Sequence, residues 1–258
     1  MQGHKPLVTL ILGALLVFPA LAWDEPSAST DVVTLWHEAK ALVPTQVILP
    51  PDFDSEVPHS LIIALHGYGS SAEAFANHTR PFTRSGYILA VPEAAYAMLD
   101  GEGKLVYDWW LYQMPDREEL HQRAIQSLVN DHLPAVIRDL RQRYRIDQVY
   151  ILGFSQGAMT AYLAGICQPA LFDGIVAFGG MTRKEWYPGD TLAQGQHVPV
   201  LILHGKSDTR MPFSEGERAR DLLMKGGYDV TFRPFSGGHT VPSNEFDFVV
   251  AWLRQRAE

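Results

Sequence analysis

Val149-Tyr150-Ile151-Leu152-Gly153-Phe154-Ser155-Gln156-Gly157-Ala158-Met159 is the stretch on which the fold turns. Its first four residues form an unbroken apolar, strand-like run, and the residues from Ala158 to Ile166 follow as an apolar helical pattern. A serine is thereby placed where a buried strand turns sharply into a helix. Such a turn forces strained backbone angles on its central residue, and only small flanking residues let the strand and helix approach. Gly153 and Gly157 meet that need.

Outward from this turn, short β-rich runs alternate with helical patterns, which is the signature of a mostly parallel sheet covered on both faces. Strands are expected over 45–49, 60–65, 87–91, 148–152, 174–178, 199–203 and 230–234, and helices over 72–83, 117–144, 156–166, 214–225 and 244–256. Pro134 falls inside the second helix and predicts a kink or split there. Leu61-Ile62-Ile63-Ala64-Leu65 and Val200-Leu201-Ile202-Leu203 are apolar on both alternating faces, as central parallel strands require. The expected architecture is α/β, a doubly wound, mostly parallel sheet with helices on both faces, in one domain over 23–258. An aromatic-rich insertion at about 95–116 shows no clear periodicity and carries Tyr96, Met98, Tyr107, Trp109, Trp110, Tyr112 and Met114.

The chain has 258 residues, 47% of them hydrophobic and 19% charged, and a net charge of −8. That balance excludes disorder and disfavours nucleic acid or anionic lipid, which call for clustered Lys and Arg. Arg138, Arg141, Arg143 and Arg145 do cluster, but with Asp139 and Asp147 among them they read as a solvated helix face and its C-terminal end. At the amino terminus, His4 and Lys5, an apolar run from Leu7 to Phe18, then Pro19 and Ala20-Leu21-Ala22 read as a cleavable signal over 1–22. A dozen or so apolar residues are too few for a stable span, so no stable membrane anchor and a secreted or periplasmic protein are expected. Cys167, the one cysteine, is expected to be a buried small hydrophobe.

Three further strand ends complete a chemical set. His66-Gly67-Tyr68-Gly69-Ser70 follows one strand, His204-Gly205-Lys206-Ser207-Asp208 another, and Gly237-Gly238-His239 the last. Attack on an acyl carbon needs a base to take the hydroxyl proton, and a carboxylate to orient that imidazole and stabilise its charge. Ser155, Asp208 and His239 fill these roles in the chain order of α/β-hydrolases. Asp173 precedes a strand and Asp190 lies in a Pro/Gly loop, so Asp208 leads them as the acid; His66 and His204 open HG turns and are expected to hydrogen-bond within them. The developing oxyanion needs preorganised N–H donors. The amide of Gln156, at a helix start, offers one, and that of Tyr68, between Gly67 and Gly69, offers the second.

These residues resemble the phospholipase/carboxylesterase group of α/β-hydrolases, which includes the acyl-protein thioesterases. The resemblance runs through LHGYGSS at 65–71, GFSQGAMTAYLAG at 153–165, LHGKSDTRMP at 203–212 and GGH at 237–239, and Gln156 after the serine is its sharpest mark. It implies an α/β-hydrolase fold, with Ser155 as nucleophile, Asp208 as acid, His239 as base, and Tyr68 and Gln156 as oxyanion donors. Ala158 stands where the group usually has Gly, and the Tyr107-Asp108-Trp109-Trp110-Leu111-Tyr112 run is not of its usual form. Those departures bear on the substrate rather than on the triad. The HGKSD and GGH segments also look like those of prolyl-oligopeptidase-type peptidases, whose propeller has no room here.

The expected function is cleavage of a small-molecule carboxylic ester through an acyl-enzyme. A thioesterase or lysophospholipase with the same triad is the alternative, and a catalytically silent binding protein on the same scaffold is the alternative of another class. Trp109, Trp110 and Met181 are expected to wall an apolar substrate pocket. No metal-ligand spacing occurs among the ten histidines, so neither metal nor organic cofactor is expected. A monomer or weak homodimer is expected.

Overall fold

The structure, a computed structural model, describes residues 42–111 and 118–256. The expected signal at 1–22, together with Tyr112 and Met114 of the insertion, lies outside the described residues. Seven strands form one sheet: β1 (Thr45–Ile48), β2 (His59–Leu65), β3 (Ile88–Pro92), β6 (Ile146–Phe154), β7 (Gly174–Phe178), β8 (Val200–Gly205) and β9 (Val230–Phe235), in the order β1-β3-β2-β6-β7-β8-β9. All neighbours are parallel except β1, which pairs antiparallel with β3 at the edge. Strand order reverses between β2 and β6, and an open α/β sheet has its ligand crevice beyond the carboxyl ends of the strands at such a point.

The period of two along each central strand divides the core into two layers. Leu61, Ile63, Leu65, Ile151, Ile175 and Ile202 face one side, where α2 (Glu118–Ser127), α3 (Leu133–Arg143), α4 (Gln156–Cys167) and α6 (Phe213–Lys225), with the turn between α2 and α3, add Leu128, Ile137, Tyr162 and Leu223. Ile62, Ala64, Leu152, Val176 and Leu203 face the other, with Phe75 from α1 (Ala72–Thr79) and Val249 and Leu253 from α7 (Phe246–Arg254). From Leu61 to Leu65 the side chains on both faces of β2 are fully buried, which is why that run reads as continuously apolar.

Two elements differ from their sequence expectation. The region 72–83 is not one helix: α1 ends at Thr79 and Arg80–Ser85 tightens to a 3₁₀ turn around Pro81. The long helix expected over 117–144 with a kink or split at Pro134 is divided just before that residue, between α2 and α3. Leu128–His132 forms a π turn in which the Leu133 amide reaches back to the carbonyl of Leu128. Pro134 has no N–H to give, and the wider turn absorbs that loss.

The insertion is the second difference, for it is not irregular. It contains a hairpin, β4 (Tyr96–Leu99) and β5 (Leu105–Asp108), paired in register from Tyr96↔Asp108 to Leu99↔Leu105. Its turn is tied by the Asp100 carboxylate, which accepts from the amides of Glu102 (2.9 Å) and Lys104 (2.8 Å). A four-residue helix, α5 (Thr191–Gln194), also lies outside the expected set.

Candidate active site

Ser155 sits between β6 and α4 with φ 54° and ψ −116°, a conformation that costs a side-chain-bearing residue about 1–3 kcal/mol. Its neighbours explain how the turn closes. A Cβ on Gly153 would lie 2.1 Å from the Gly157 carbonyl oxygen, and one on Gly157 would lie 2.1 Å from the Leu65 carbonyl oxygen. No residue larger than glycine fits at either position. The Ser155 amide donates to the Phe178 carbonyl at 2.9 Å, and the Ser155 carbonyl accepts from Ala158 and Met159 as the first turn of α4.

Asp208 lies three residues past β8, and both of its oxygens are engaged. Oδ1 accepts from the amides of Arg210 (2.9 Å) and Met211 (2.8 Å), and Oδ2 lies 2.7 Å from His239 Nδ1. His239, four residues past β9, places Nε2 2.9 Å from Ser155 Oγ. A carboxylate only accepts, so Nδ1 carries the proton and Nε2 is left to accept from the hydroxyl. The Asp208 side chain is fully buried while that of His239 is 13% exposed, so of this pair only the imidazole reaches solvent. Gly179, with φ +55°, passes so close that a Cβ there would lie 3.3 Å from His239 Nδ1 and 3.4 Å from Asp208 Oδ2.

Tyr68 lies on the loop after β2 and Gln156 opens α4 just beyond β6, on either side of the point where strand order reverses. Gln156, as the first residue of α4, has no helix carbonyl for its amide to bind. Tyr68 is half-buried, and its phenol is raised above the ordinary value of 10.0, first by burial and then by the nearby Asp108 carboxylate. The HG turns behave in two ways. His66 Nδ1 stays within its turn, 2.9 Å from the Gly67 carbonyl, while Nε2 lies 2.9 Å from Glu93 Oε1; His204 Nε2 reaches out to the Met211 carbonyl at 2.8 Å.

The three residues expected to wall a pocket are placed differently. Trp109 is 1% exposed and packs into the core: its indole N–H donates to the His66 carbonyl at 2.8 Å, and its ring packs tilted against that of His66 at 4.9 Å. Trp110 is buried against Trp186, edge to face at 6.5 Å. Met181 is half-buried against the same core, two residues beyond Gly179. Cys167 is half-buried rather than fully enclosed, and burial raises its thiol above the ordinary value. Sequence reasoning missed Asp108 altogether. Its carboxylate is buried and accepts from the Gln156 side chain at 2.6 Å, and the only sequence signal was an acidic residue amid aromatics in the insertion.

A cleft of about 370 Å³ lined by Ser55, Gln142, Tyr144, Ile146 and three arginines opens at the opposite end of β6, away from Ser155. Among the described residues, no group of three or more His, Cys, Asp or Glu side chains is arranged to hold a metal ion. Chemically, the set at the carboxyl edge can pass a hydroxyl proton to an imidazole held by a carboxylate, beside amides that can serve a developing oxyanion.

The sheet order and the serine turn define an α/β-hydrolase. Within that class the chain belongs to the phospholipase/carboxylesterase family, whose sequence profile matches residues 53–256. The probable carboxylesterase SOBER1-like of Arabidopsis thaliana is 29% identical over 119 residues, 43% of this chain and 44% of that protein. The putative esterase NocK of Nocardia uniformis subsp. tsuyamanensis is 30% identical over 155 residues, 59% of this chain and 41% of that protein. The chain thus spans less than half the length of either relative. Among solved structures, esterase PE8 superposes with a TM-score of 0.66 at 25% identity, over 83% of this chain and 99% of that one. Acyl-protein thioesterase 2 of Zea mays superposes with a TM-score of 0.64 at 21% identity, over 84% and 100%, a likeness of fold.

Proposed function

We propose that this protein is a serine hydrolase that cleaves carboxylic esters through an acyl-enzyme. The observation that carries this reading is His239 standing between two partners, 2.7 Å from Asp208 Oδ2 and 2.9 Å from Ser155 Oγ. Ser155 Oγ adds to the ester carbonyl while its proton passes to His239 Nε2, and the buried carboxylate stabilises the resulting imidazolium. The carbonyl oxygen, now an anion, is held by the amides of Gln156 and Tyr68. Collapse breaks the carbon–alkoxy bond, and His239 gives its proton to the leaving alcohol. Water then attacks the acyl-enzyme with His239 again as base, releasing the acid and Ser155. Hydrolysis of p-nitrophenyl esters of rising chain length by the protein from Trp23 onward, beside Ser155→Ala, tests this. Turnover that persists in the variant ends the reading.

Membership of the phospholipase/carboxylesterase family favours a second reading, cleavage of thioesters by the same residues. The ratio of kcat/KM on oxygen esters and thioesters with the same acyl group separates the two. Trp110 and Met181 lie near enough to the carboxyl edge in sequence to shape the acyl site, and a change of chain-length preference in Trp110→Ala tests that role. Export rests on residues 1–22 alone, and amino-terminal sequencing of the mature protein tests cleavage before Trp23.

A further inference from the structure

We propose that Asp108 is a positioning residue of the oxyanion hole, clamping the Gln156 side chain so that the hairpin fixes the spacing between the amides of Gln156 and Tyr68. The inference rests on the serine-hydrolase reading and extends it to a residue outside the triad.

The clamp grips Gln156 at both ends of its carboxamide. Nε2 donates to Asp108 Oδ1 at 2.6 Å, and Oε1 accepts from the Trp109 amide at 3.2 Å. The same Asp108 oxygen accepts from the Trp110 amide at 3.0 Å, which fixes the carboxylate in turn. Both Asp108 and Gln156 are 4% exposed, so these bonds compete with little water. A bond to a charged acceptor is shorter and stronger than one between neutral groups, which suits a clamp.

The segment that holds Gln156 also holds the other donor. The Tyr107 amide donates to the Ser70 carbonyl at 2.9 Å, and the Gly69 amide donates to the Tyr107 carbonyl at 3.0 Å. The Trp109 indole N–H donates to the His66 carbonyl at 2.8 Å. These bonds fall on both sides of Tyr68. Registered pairing of β2 with β6 ends at Leu65↔Gly153, so beyond the sheet edge the two donor loops are joined through residues 107–110. Asp108 carries its negative charge into this neighbourhood, where it is felt at the Tyr68 phenol. An anion beside a developing oxyanion opposes it, so the carboxylate contributes through geometry and not through charge.

Geometry without charge is what Asp108→Asn retains, because its Oδ1 still accepts from Gln156 and Trp110. Asp108→Ala removes the acceptor. Displacing one oxyanion donor by a fraction of an ångström is expected to lower kcat about 10- to 100-fold with KM within about threefold. The test measures kcat, KM and the inhibition constant of an alkyl boronic acid, a tetrahedral mimic, for wild type, Asp108→Ala, Asp108→Asn, Gln156→Met and the Asp108→Ala/Gln156→Met double variant. Rates are normalised to active sites titrated with a fluorophosphonate.

The expected result is matching loss of kcat and boronate affinity in Asp108→Ala and Gln156→Met, no further loss in the double variant, and recovery of most of it in Asp108→Asn. Unchanged kcat and boronate affinity in Gln156→Met, or in folded Asp108→Ala whatever its melting temperature, overturns the proposal. If Asp108→Ala does not fold, Gln156→Met and Asp108→Asn carry the same comparison. A wild type without turnover or Ser155 labelling sinks the hydrolase reading and the proposal with it, a signature distinct from an active wild type indifferent to the clamp.

Discussion

The Ser155 amide donates to the Phe178 carbonyl at 2.9 Å, which ties the turn after β6 to the last residue of β7. The bond helps to hold φ at 54° and ψ at −116°, where a Cβ is unfavourable. Removing that Cβ relaxes the turn. Ser155→Gly is expected to be about 1 kcal/mol more stable than Ser155→Ala, a difference of roughly 2–4 °C in Tm. Both lack the hydroxyl and are expected to be inactive. Thermal unfolding of the two variants side by side checks this, and a Ser155→Gly no more stable than Ser155→Ala shows that the turn is unstrained.

Asp208 offers a sharper test of the triad. Because the amides of Arg210 and Met211 hold Oδ1, the carboxamide of an Asp208→Asn variant must keep its oxygen there and turn its NH₂ toward His239. The imidazole then has to accept at Nδ1, which puts its proton on Nε2, facing Ser155. That tautomer takes no proton from a hydroxyl, and kcat is expected to fall on the order of 10⁴-fold. Steady-state kinetics at saturating ester measures it; a loss below tenfold means Asp208 does not set the tautomer.

Ala158 occupies space that a glycine would leave open. A Cβ on Gly180 would lie 2.5 Å from the Ala158 Cβ, with the α4 backbone next nearest at 3.4 Å. Gly180→Ala is therefore expected to destabilise by about 1–3 kcal/mol through overpacking. Ala158→Gly costs about 1 kcal/mol on its own in a helix interior. The pair together should be more stable than the sum of the two by at least about 0.5 kcal/mol. Denaturant unfolding of the four proteins gives the coupling, and strict additivity shows that the two positions do not meet.

His132, in the π turn, has its Nε2 buried without a hydrogen-bond partner, and burial lowers its pKa below the ordinary 6.5. The unfolded chain therefore binds this proton more readily than the folded one. Stability is unaffected by His132 well above pH 6.5 and falls as pH drops below it, until the folded imidazole is protonated too. His132→Leu is expected to flatten that acid-side decline. Tm measured across a range of about pH 5–8 for both proteins decides, and parallel curves rule out the histidine as a source of the slope.

The sheet was legible because its central strands are buried on both faces, which leaves continuous runs such as 61–65 and 200–203 with few other interpretations. The turn around Ser155 was legible for a steric reason, since backbone oxygens stand 2.1 Å from where side chains on Gly153 and Gly157 would begin. The hairpin was not. Ala97, Leu99 and Leu105 face solvent, so β4 and β5 lack the polar-out alternation that marks a half-buried strand. The burial of Trp109 was not legible either, because an aromatic run gives the same composition whether it walls a pocket or fills a core. The Asp108–Gln156 bond joins residues 48 apart, and no local pattern encodes a partner at that distance.

The antiparallel bridge between Ser70 and Tyr107 makes the hairpin poor material for wholesale exchange. An engineer who grafts in a foreign loop across 95–111 to broaden acceptance of new compounds also discards the fastening of Gly69 and Ser70. Such chimaeras should express as soluble but sluggish proteins. Diversity is better confined to the tip, between Leu99 and Leu105, with the four residues from Tyr107 to Trp110 left as they stand.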